Sequence, residues 1–408
     1  MNIGFISYKY GDIDGVSLTD QTLITGLRKL GHNVVILTGE ANKPTDDNVS
    51  ILPALGFNHP EIHAIKQFTI EANSSDKDIT QKIEQLSKKL YSDIQTWLQL
   101  KSIDILFLTN IFSIGFNLPL AIALNRLCTN QKIKIISRDC DFWWQREYFI
   151  YNPLQSLFEE YLPPANPLIK HVVINAHSQE ELYRRKGLKS DILPDLFDFD
   201  YKYPADNTHS GSLRSVLGIK ENELMLLQPS RIVRRKRVDR GILLAHYLKN
   251  KKFNPCVVTT GFGGDEDDSY TEEVTALSKK LQVRAFFISD MIKSTKYSIY
   301  DCYPSADLVV FLSESEGFGN QLVESVFFKK PLLINSYKVY SEEIKPKGFK
   351  FIEADGGQIT PDIISQITEL SQNNRLRTEI VEHNFEIARK HYSLESNLTK
   401  LQSILEMD

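Results

Sequence analysis

Two glutamates placed eight positions apart, Glu316 and Glu324, are the residues of this chain best suited to chemistry. The first opens a Gly-Phe-Gly turn, which follows a short apolar segment at residues 306–312 that is typical of a buried strand. Residues 320–330 contain no Gly or Pro and are predicted to form a helix. Glycines let backbone amides approach a bound group, and ligands of open α/β sheets bind at the carboxyl ends of strands. Ionised glutamates placed there suit pairs of sugar hydroxyls.

A second segment carries five cations within seven positions, after a predicted strand at residues 223–227. They are Arg231, Arg234, Arg235, Lys236 and Arg237. A solvated charged face is the usual role of such a run. This run, however, lies between the end of a strand and the start of a helix, at the sheet edge that also carries the Glu316 turn. Planar guanidinium groups and an ammonium suit the oxygens of a diphosphate, so the run favours phosphate binding.

Strand-like and helix-like segments alternate along the whole chain, which predicts parallel sheets with helices on both faces. The strands predicted in the first half are residues 2–7, 33–37, 104–108, 132–136, 172–175 and 191–193. Those predicted in the second half are residues 223–227, 255–259, 284–288, 308–312, 332–335 and 350–352. Between the halves, residues 200–215 are polar without periodicity and are predicted to be a linker. The predicted domains are therefore residues 1–199 and 216–390, two similar α/β halves facing a cleft.

Length and composition agree with a globular protein of two domains. The chain has 408 residues and a net charge of −4, which gives no support to nucleic-acid binding. Its four cysteines are widely spaced, as expected of reduced core thiols and not of a disulfide frame or a zinc site. Residues 1–7 are predicted to be a strand and not a signal peptide, and no apolar run reaches the length of a membrane span. We therefore expect a cytoplasmic protein; its oligomeric state stays open.

With both segments described, the chain resembles the retaining nucleotide-sugar glycosyltransferases of family 4. The resemblance is carried by Arg231-x-x-x-x-Lys236 and Glu316-Gly-Phe-Gly-x-x-x-x-Glu324. Supporting matches are Asp14-Gly15-Val16 and Pro194-Asp-Leu-Phe-Asp198. Residues 10–17, 141–146, 320–335 and 346–352 are similar to a bacterial subset of glucosylglycerate- and mannosylglucosylglycerate-type synthases. The family implies the GT-B fold of two Rossmann-like domains, with a C-terminal helix, residues 391–408, that returns to the N-terminal domain.

The resemblance also implies roles for individual residues. Glu316 is expected to contact the transferred sugar, and Glu324 to hold the ribose hydroxyls. Arg231 and Lys236 are expected to neutralise the diphosphate and support its departure. Gly15 belongs to a loop that is expected to bring backbone toward the phosphates and the acceptor. The backbone expected to line the sugar pocket is that of Gly317, Phe318, Gly319, Asn320 and Gln321.

The chain departs from the family after its fifth predicted strand. Related sequences carry histidines there, one of which helps to hold the donor sugar, whereas this chain has Arg138, Asp139 and Cys140. Asp141 matches the family pattern and is predicted to replace a polar contact. On the acceptor side, Tyr8 and its neighbours are candidates for the pocket. Trp143 and Trp144 either stack on an acceptor sugar or belong to the core.

Metal binding is not predicted, although Asp139-Cys-Asp141 spells a DxD motif. That motif is weak in a chain so rich in aspartate, and Arg231 and Lys236 already bring positive charge to the phosphates. We therefore expect no metal or other required cofactor, with a nucleotide-diphosphate sugar as donor substrate and a hydroxylated small molecule or glycan as acceptor.

The predicted function is transfer of a hexose from a UDP- or GDP-hexose with retention of configuration. Double displacement needs a carboxylate nucleophile, and no residue here identifies itself as one. Front-face attack, in which the departing phosphate takes the acceptor proton, is the favoured route. Two alternatives stay open: a GT-B phosphorylase or epimerase, and a sugar-nucleotide-binding protein with impaired turnover, for which the missing histidines argue.

Overall fold

The computed structural model of the chain consists of two parallel sheets, each with helices on both faces. It describes residues 1–11, 15–42, 48–70, 78–201, 213–249, 251, 253–261, 268–294 and 298–406. Asp14, most of the predicted linker and the loop that follows Gly261 lie outside the described residues. The chain divides into two compact units: Met1–Leu196 with Leu394–Asp408, and Phe197–Ser393.

Seven parallel strands form the sheet of the first unit, in the order β3-β2-β1-β4-β5-β6-β7. They are β1 (Asn2–Tyr10), β2 (Asn33–Ala41), β3 (Val49–Ile51), β4 (Ile105–Thr109), β5 (Lys134–Asp139), β6 (Ile169–Val173) and β7 (Ser190–Ile192). The helices are α1 (Gly15–Lys29), α2 (Pro60–Ile70), α3 (Ile79–Lys101), α4 (Leu118–Gln131), α5 (Glu147–Ile150), α6 (Gln155–Tyr161) and α7 (Ala176–Lys186). The strand order reverses between β1 and β4, which makes the carboxyl ends of these two strands the expected ligand position.

Six parallel strands form the sheet of the second unit, in the order β10-β9-β8-β11-β12-β13. They are β8 (Leu224–Gln228), β9 (Pro255–Thr259), β10 (Arg284–Phe287), β11 (Leu308–Phe311), β12 (Leu332–Asn335) and β13 (Ile352–Ala354). The helices are α8 (Leu213–Val216), α9 (Val238–Lys249), α10 (Asp268–Lys280), α11 (Ser289–Ser294), α12 (Cys302–Ser305), α13 (Asn320–Phe327), α14 (Pro361–Gln372) and α15 (Asn374–Tyr392). Here the order reverses between β8 and β11.

Both faces of the first sheet are covered by apolar side chains. Every residue of β4 is buried, as expected of a central strand whose sequence, Ile-Leu-Phe-Leu-Thr, does not alternate. Leu106 and Leu108 join the cluster under α3 and α4, whereas Ile105 and Phe107 join the cluster under α1. The predicted α/β class with two doubly wound sheets is confirmed.

The last helix, α16 (Leu394–Leu405), belongs to the first unit and packs against α1. Gly26 allows this packing, because a Cβ atom there would lie 2.6 Å from Cδ1 of Leu394 and 2.9 Å from Cδ2 of Leu401. Lys29 and Glu395 form an ion pair across the same contact. The predicted return of the C-terminal helix is thus seen in the structure.

The strand β3 and the helix α2 are among the elements of the first unit that were not predicted. The strand β3 is only three residues long, and α2 buries only Ile62, Ile65 and Thr69, so neither has a strong sequence signal. The strand β2 also runs beyond its predicted end, because Glu40 pairs with Lys9 of β1 after the apolar run has finished. Within the described residues, no helix combines the length and apolarity needed to cross a membrane.

Candidate active site

Two loops meet at the carboxyl edge of the second sheet, where its strand order reverses. One follows β8 and carries the five cations, and the other follows β11 and carries Glu316. The backbone N–H of Glu314 donates to the carbonyl of Arg235 at 2.8 Å, which joins the loops directly. Gln228, at the end of β8, donates from Nε2 to the carbonyl of Lys236 at 2.8 Å. The two sequence segments singled out for chemistry therefore form one site.

Lys236 and Glu316 form an ion pair at the centre of this site, and each side chain is only 11% exposed. Arg235 adds a second cation, with its Nη1 atom 3.6 Å from Oε2 of Glu316. Burial alone would raise the pKa of Glu316, but Lys236 and Arg235 outweigh it and lower that pKa. Burial, together with Arg235 and Arg231, lowers the pKa of Lys236 despite its carboxylate partner. The site thus concentrates more positive charge than Glu316 neutralises.

Arg231 lies at the start of the cation loop, half-buried and close enough to Lys236 to lower its pKa. Its backbone packs against Gly261, where a Cβ atom would lie 2.4 Å from the Arg231 Cα atom. Gly261 also donates its N–H to the carbonyl of Ser230 at 3.0 Å. A glycine at position 261 is therefore needed for the loop after β9 to pack against the loop after β8.

The remaining cations of the run have protein partners outside this centre. Arg234 is 56% exposed and makes two hydrogen bonds to Glu273, of 2.9 and 2.6 Å. Arg237 binds Asp239 at 2.7 Å and Glu314 at 2.6 Å. The run therefore combines both sequence interpretations: part of it is a solvated charged face, and part of it builds the site.

The Gly-Phe-Gly turn holds a backbone conformation that only glycine adopts easily. Gly319 has a φ of 101°, and a Cβ atom there would lie 2.7 Å from the Phe311 ring and 2.8 Å from the Tyr337 hydroxyl. That hydroxyl donates to the carbonyl of Phe318 at 2.5 Å. Phe318 is buried, whereas Gly317 is exposed. Tyr337 therefore fixes the turn that precedes α13.

Glu324 lies in α13 and is only 5% exposed. The Tyr303 hydroxyl donates to Oε2 of Glu324, and Tyr303 is itself fully buried and stacked on Phe328. Burial raises the pKa of Glu324 to about 7, although the Tyr303 hydrogen bond and Lys236 act in the opposite direction. Glu324 therefore differs from Glu316, because its carboxyl titrates near neutral pH.

Several buried polar atoms at this edge have no hydrogen-bond partner among the residues that the structure describes. They are Ser230 Oγ, Thr260 Oγ1, Gln321 Oε1 and Ser336 Oγ. Buried polar groups are nearly always hydrogen-bonded, so such a group near a charged site is expected to bind a ligand or water. Gln321 uses its other side-chain atom, Nε2, to donate to the carbonyl of Pro229 at 2.5 Å.

The comparisons with known proteins agree with this arrangement. The family profile described as "Glycosyl transferases group 1" matches residues 210–386, which include both loops. Over 383 residues the chain is 31% identical to the mannosylglucosylglycerate synthase of Petrotoga mobilis, and the match covers 86% of each protein. The chain belongs to the group 1 glycosyltransferases. The predicted enzyme class, a glycosyltransferase, is therefore confirmed.

This group 1 glycosyltransferase is similar over its whole length to further proteins. It is 29% identical to the mannosylglucosylglycerate synthase of Thermotoga maritima, with 100% of this chain and 99% of the relative covered. The crystal structure of a glycosyltransferase from Rickettsia africae superposes with a TM-score of 0.65 at 17% identity, covering 100% and 99% of the two chains. Anabaena Alr3699/HepE in complex with UDP-glucose gives a TM-score of 0.67 at 13% identity, covering 99% of each. These likenesses confirm the GT-B fold.

The first unit of the glycosyltransferase contains Arg138, Asp139 and Cys140, the positions for which the resemblance implied histidines in related sequences. Arg138 is fully buried, forms an ion pair with Asp195 and has Nη1 3.1 Å from Sγ of Cys140. Asp139 is also fully buried and accepts from the Ser137 hydroxyl at 2.8 Å. A guanidinium in this position is part of an internal network and is not exposed for a ligand.

Two predicted residues, Gly15 and Asp141, also lie in this unit. Asp141 pairs with Arg146, which donates from Nε to Oδ2 at 3.0 Å. Gly15 is the first residue of α1, and its carbonyl accepts from the Thr19 hydroxyl at 2.8 Å. Asp139 and Asp141 have different protein partners.

Sequence reasoning missed the tyrosines of the site. Tyr303 and Tyr337 hold Glu324 and the Gly-Phe-Gly turn, but neither belongs to a motif with a recognisable spacing. Tyr303 lies in α12, before β11, and Tyr337 lies after β12. Their positions beside the strands that flank the site are apparent only from the sheet order. Trp143 and Trp144, by contrast, are buried core residues.

Proposed function

We propose that this protein transfers a hexose from a nucleotide-diphosphate sugar, such as a UDP- or GDP-hexose, to a hydroxyl of a small-molecule or glycan acceptor, with retention of configuration. The observation that carries the proposal is the buried pair of Lys236 and Glu316, with Arg231 and Arg235 beside it, at the point where the second sheet reverses its strand order. Excess buried positive charge at such a point suits a diphosphate.

Each part of the donor has a proposed partner in the second unit. Lys236 and Arg231 bind the diphosphate oxygens, and Glu316 accepts hydrogen bonds from hydroxyls of the transferred sugar. Glu324 accepts from the ribose hydroxyls, held in place by Tyr303. The backbone from Gly317 to Gln321 lines the pocket for the transferred sugar. The Gln321 Oε1 atom, which has no hydrogen-bond partner among the described residues, supports a polar ligand at this position.

The proposed reaction breaks the bond between the anomeric carbon and the phosphate oxygen, and the electron pair leaves with the diphosphate. The acceptor hydroxyl forms the new bond on the same face of the sugar, and its proton passes to the departing phosphate oxygen. Lys236 and Arg231 stabilise the charge that develops on that oxygen. No side chain has to act as a nucleophile, which agrees with the pairing of Glu316 to cations.

We propose that no metal ion is needed for this step. The cations of the β8 loop already offer the positive charge that a metal would bring to the phosphates. Glu316, the carboxylate at the centre of the site, is engaged by Lys236 and Arg235. Transfer is therefore expected to continue in the presence of a chelator.

For the acceptor, the names of the relatives favour a glycerate-containing molecule, since two of them are mannosylglucosylglycerate synthases. A hexosylglycerate presents several hydroxyls and one carboxylate. We propose this class of small acidic acceptor ahead of a polymeric glycan. Such a substrate would have to be supplied by a reaction that first joins a hexose to glycerate.

The test is a panel of nucleotide sugars, each assayed for binding, for hydrolysis and for transfer to hydroxylated acceptors. We expect one UDP- or GDP-hexose to bind and to release its nucleoside diphosphate in an acceptor-dependent way. Proton NMR of the product should show the anomeric configuration of the donor. EDTA should leave the rate unchanged.

Three results would contradict the proposal. Sugar phosphate formed from a disaccharide and inorganic phosphate, without nucleotide, would indicate a phosphorylase. An inverted anomeric configuration would overturn the front-face route. Donor binding with no transfer or hydrolysis against any acceptor would indicate a binding protein, to which the internal position of Arg138 lends some support.

A further inference from the structure

Arg237 has a backbone conformation that is unusual for a residue with a side chain. Its φ of 51° and ψ of 51° place it in the left-handed region, directly after Lys236 and the short turn Arg234–Lys236. A residue other than glycine is strained there, because its Cβ atom lies too close to the following carbonyl oxygen. Glycine would adopt the same conformation without that strain. The side chain of Arg237 is therefore expected to make contacts that offset the strain.

The guanidinium of Arg237 joins two carboxylates from different elements. Its Nε and Nη2 atoms donate to Oδ1 and Oδ2 of Asp239, at 3.0 and 2.7 Å. Its Nη1 atom donates to Oε1 of Glu314 at 2.6 Å, whereas Arg240 lies 3.8 Å from the same oxygen. Asp239 lies in the first turn of α9, and Glu314 lies in the loop after β11. The planar fork of an arginine suits both contacts at once.

Tyr270 holds Asp239 in place. Its hydroxyl donates to Oδ1 of Asp239 at 2.6 Å and accepts from the backbone N–H of Asp239 at 3.2 Å. Tyr270 lies on α10 and is only 4% exposed. Burial alone would raise the pKa of Asp239, but the hydrogen bonds from Arg237 and Tyr270 outweigh it and lower that pKa. Asp239 is therefore an ionised and fixed partner. We call Arg237, Asp239, Tyr270 and Glu314 the Arg237 network.

The Arg237 network connects the two loops that carry the charged pair of the candidate site. Arg237 follows Lys236 directly in the first loop. Glu314 precedes Glu316 by two positions in the second loop, and its backbone N–H donates to the carbonyl of Arg235 at 2.8 Å. The loops are thus joined by a side-chain contact and a backbone contact, one on each side of Lys236. The distance between Lys236 and Glu316 is therefore expected to depend on this connection.

We propose that Arg237 is a positioning residue for hexose transfer, and that it acts through Glu314 to hold Lys236 and Glu316 in their relative positions. The inference rests on the proposed function and adds a residue that touches neither substrate. Two carboxylates balance the Arg237 charge, so its guanidinium adds little to the positive charge offered to the diphosphate. The effect of Arg237 is therefore expected mainly in kcat, because a small displacement of the groups around the reacting atoms slows the chemical step.

The test is Arg237→Gly, which keeps the left-handed backbone and removes the guanidinium. The full-length protein is assayed with UDP-glucose, UDP-galactose, GDP-glucose and GDP-mannose as donors, at saturating glucosylglycerate. With the donor that wild type uses, we expect kcat to fall about tenfold, whereas the donor dissociation constant from titration calorimetry changes less than about threefold. The melting temperature should stay within about 3 °C of wild type, because relief of the strain offsets the loss of partly exposed ion pairs.

Two further variants separate positioning from folding. Lys329→Gly is the matched control, because Lys329 also has a positive φ, of 50°, and also pairs with a carboxylate, that of Glu382, at 2.8 Å. It should leave kcat and the donor dissociation constant unchanged. Glu314→Ala removes the carboxylate through which Arg237 is proposed to act, and should lower kcat as much as Arg237→Gly does. The double variant should be no slower than either single variant, since both remove the same connection.

Other outcomes would overturn the inference and leave the transferase proposal standing, since wild type would still transfer the hexose. A weaker donor affinity with unchanged kcat in Arg237→Gly would mean that the guanidinium binds the diphosphate itself. A loss of kcat that only follows a loss of folded protein, or that Lys329→Gly shares, would mean a purely structural role. Wild-type kcat in Arg237→Gly would remove any role in transfer. If wild type transfers no hexose from these nucleotide sugars, the proposed function fails, and this inference fails with it.

Discussion

The surroundings of Glu316 and Glu324 differ, although the two glutamates lie eight positions apart in one motif. Glu316 sits among cations, paired with Lys236 and close to Arg235, and its pKa is lowered. Glu324 sits among aromatic rings, with Tyr303 as its hydrogen-bond donor, and its pKa is raised to about 7. The same type of side chain is thus kept ionised at position 316, whereas at position 324 its pKa lies near neutral pH.

This difference separates two tasks in donor binding. A carboxylate among cations is held in a fixed position and leaves surplus positive charge for phosphates. A carboxyl near its titration point gains the most from hydroxyl donors, since each new hydrogen bond favours its ionised form. Donor binding is therefore expected to draw Glu324 into its charged state.

The largest expected effect is the loss of Lys236. Lys236→Ala removes the cation that pairs with Glu316 and that, in the proposed reaction, stabilises the leaving phosphate. We expect kcat/KM for the donor to fall by about 10²–10³-fold, the usual cost of one group that stabilises a developing charge. Steady-state kinetics with the donor varied give the measurement.

The matched control is Arg234→Ala, which removes a cation two positions away that is exposed and paired with Glu273. We expect kcat/KM for the donor to change less than twofold in this variant, because exposed ion pairs contribute little to stability or to binding. Equal losses in the two variants would mean that the whole loop acts as an unspecific basic patch, and would remove the distinction between its two parts.

Glutamine substitutions at the two glutamates should change stability in opposite directions. Glu316→Gln leaves Lys236 and Arg235 without their buried carboxylate, so the free energy of unfolding should fall by about 3 kcal/mol. Glu324→Gln removes a carboxyl whose raised pKa means that the folded state holds its proton more tightly than the unfolded state. The stability that this tighter proton binding gives the wild-type protein is fully present below the pKa of the unfolded state. It is lost as the pH rises through about 7.

At pH 8.5, Glu324→Gln should therefore be more stable than wild type, by roughly 3 kcal/mol, since each pKa unit corresponds to ~1.4 kcal/mol. At pH 5 the variant and wild type should differ little. Scanning calorimetry of the unliganded proteins at both pH values measures the effect. Suppose instead that Glu324→Gln lowers the melting temperature at pH 8.5 as much as Glu316→Gln does. The two environments would then not have opposite effects on the ionisation of their glutamates.

A smaller effect is expected for Tyr303. Its hydroxyl lowers the pKa of Glu324, so Tyr303→Phe should raise that pKa further. Donor affinity at pH 7 should drop several-fold and recover at higher pH, whereas loss of packing alone would give a deficit at every pH. Tyr340→Phe is the control, because Tyr340 is equally buried and donates to Glu353 at 2.7 Å in the same unit.

The sequence allowed the fold and the centre of this site to be predicted because both depend on local signals. Apolar runs such as residues 306–312 mark central strands, and glycine at position 319 marks a turn with positive φ. Once the segments are placed at the carboxyl edge of one sheet, their proximity follows from parallel topology.

What the sequence could not show depends on contacts between distant elements. The Tyr303 hydrogen bond to Glu324 joins α12 to α13 across a strand, and no spacing rule relates the two residues. Likewise, the position of Lys66 over Phe116 depends on α2, a helix with too few buried residues to be recognised. Arg138 marked a departure from the family, but only the structure pairs it with Asp195 in the interior.

The most direct test of the two environments is the pH dependence of donor affinity, measured by titration calorimetry from pH 5.5 to 8.5. An intact nucleotide-diphosphate sugar is the proper ligand, because its phosphates carry no proton that is lost in this range. We predict that affinity rises about tenfold between pH 6 and 8, with a midpoint near 7, and that Glu324→Gln abolishes this rise. Constant wild-type affinity across the range, or a rise that persists in Glu324→Gln, would contradict the account.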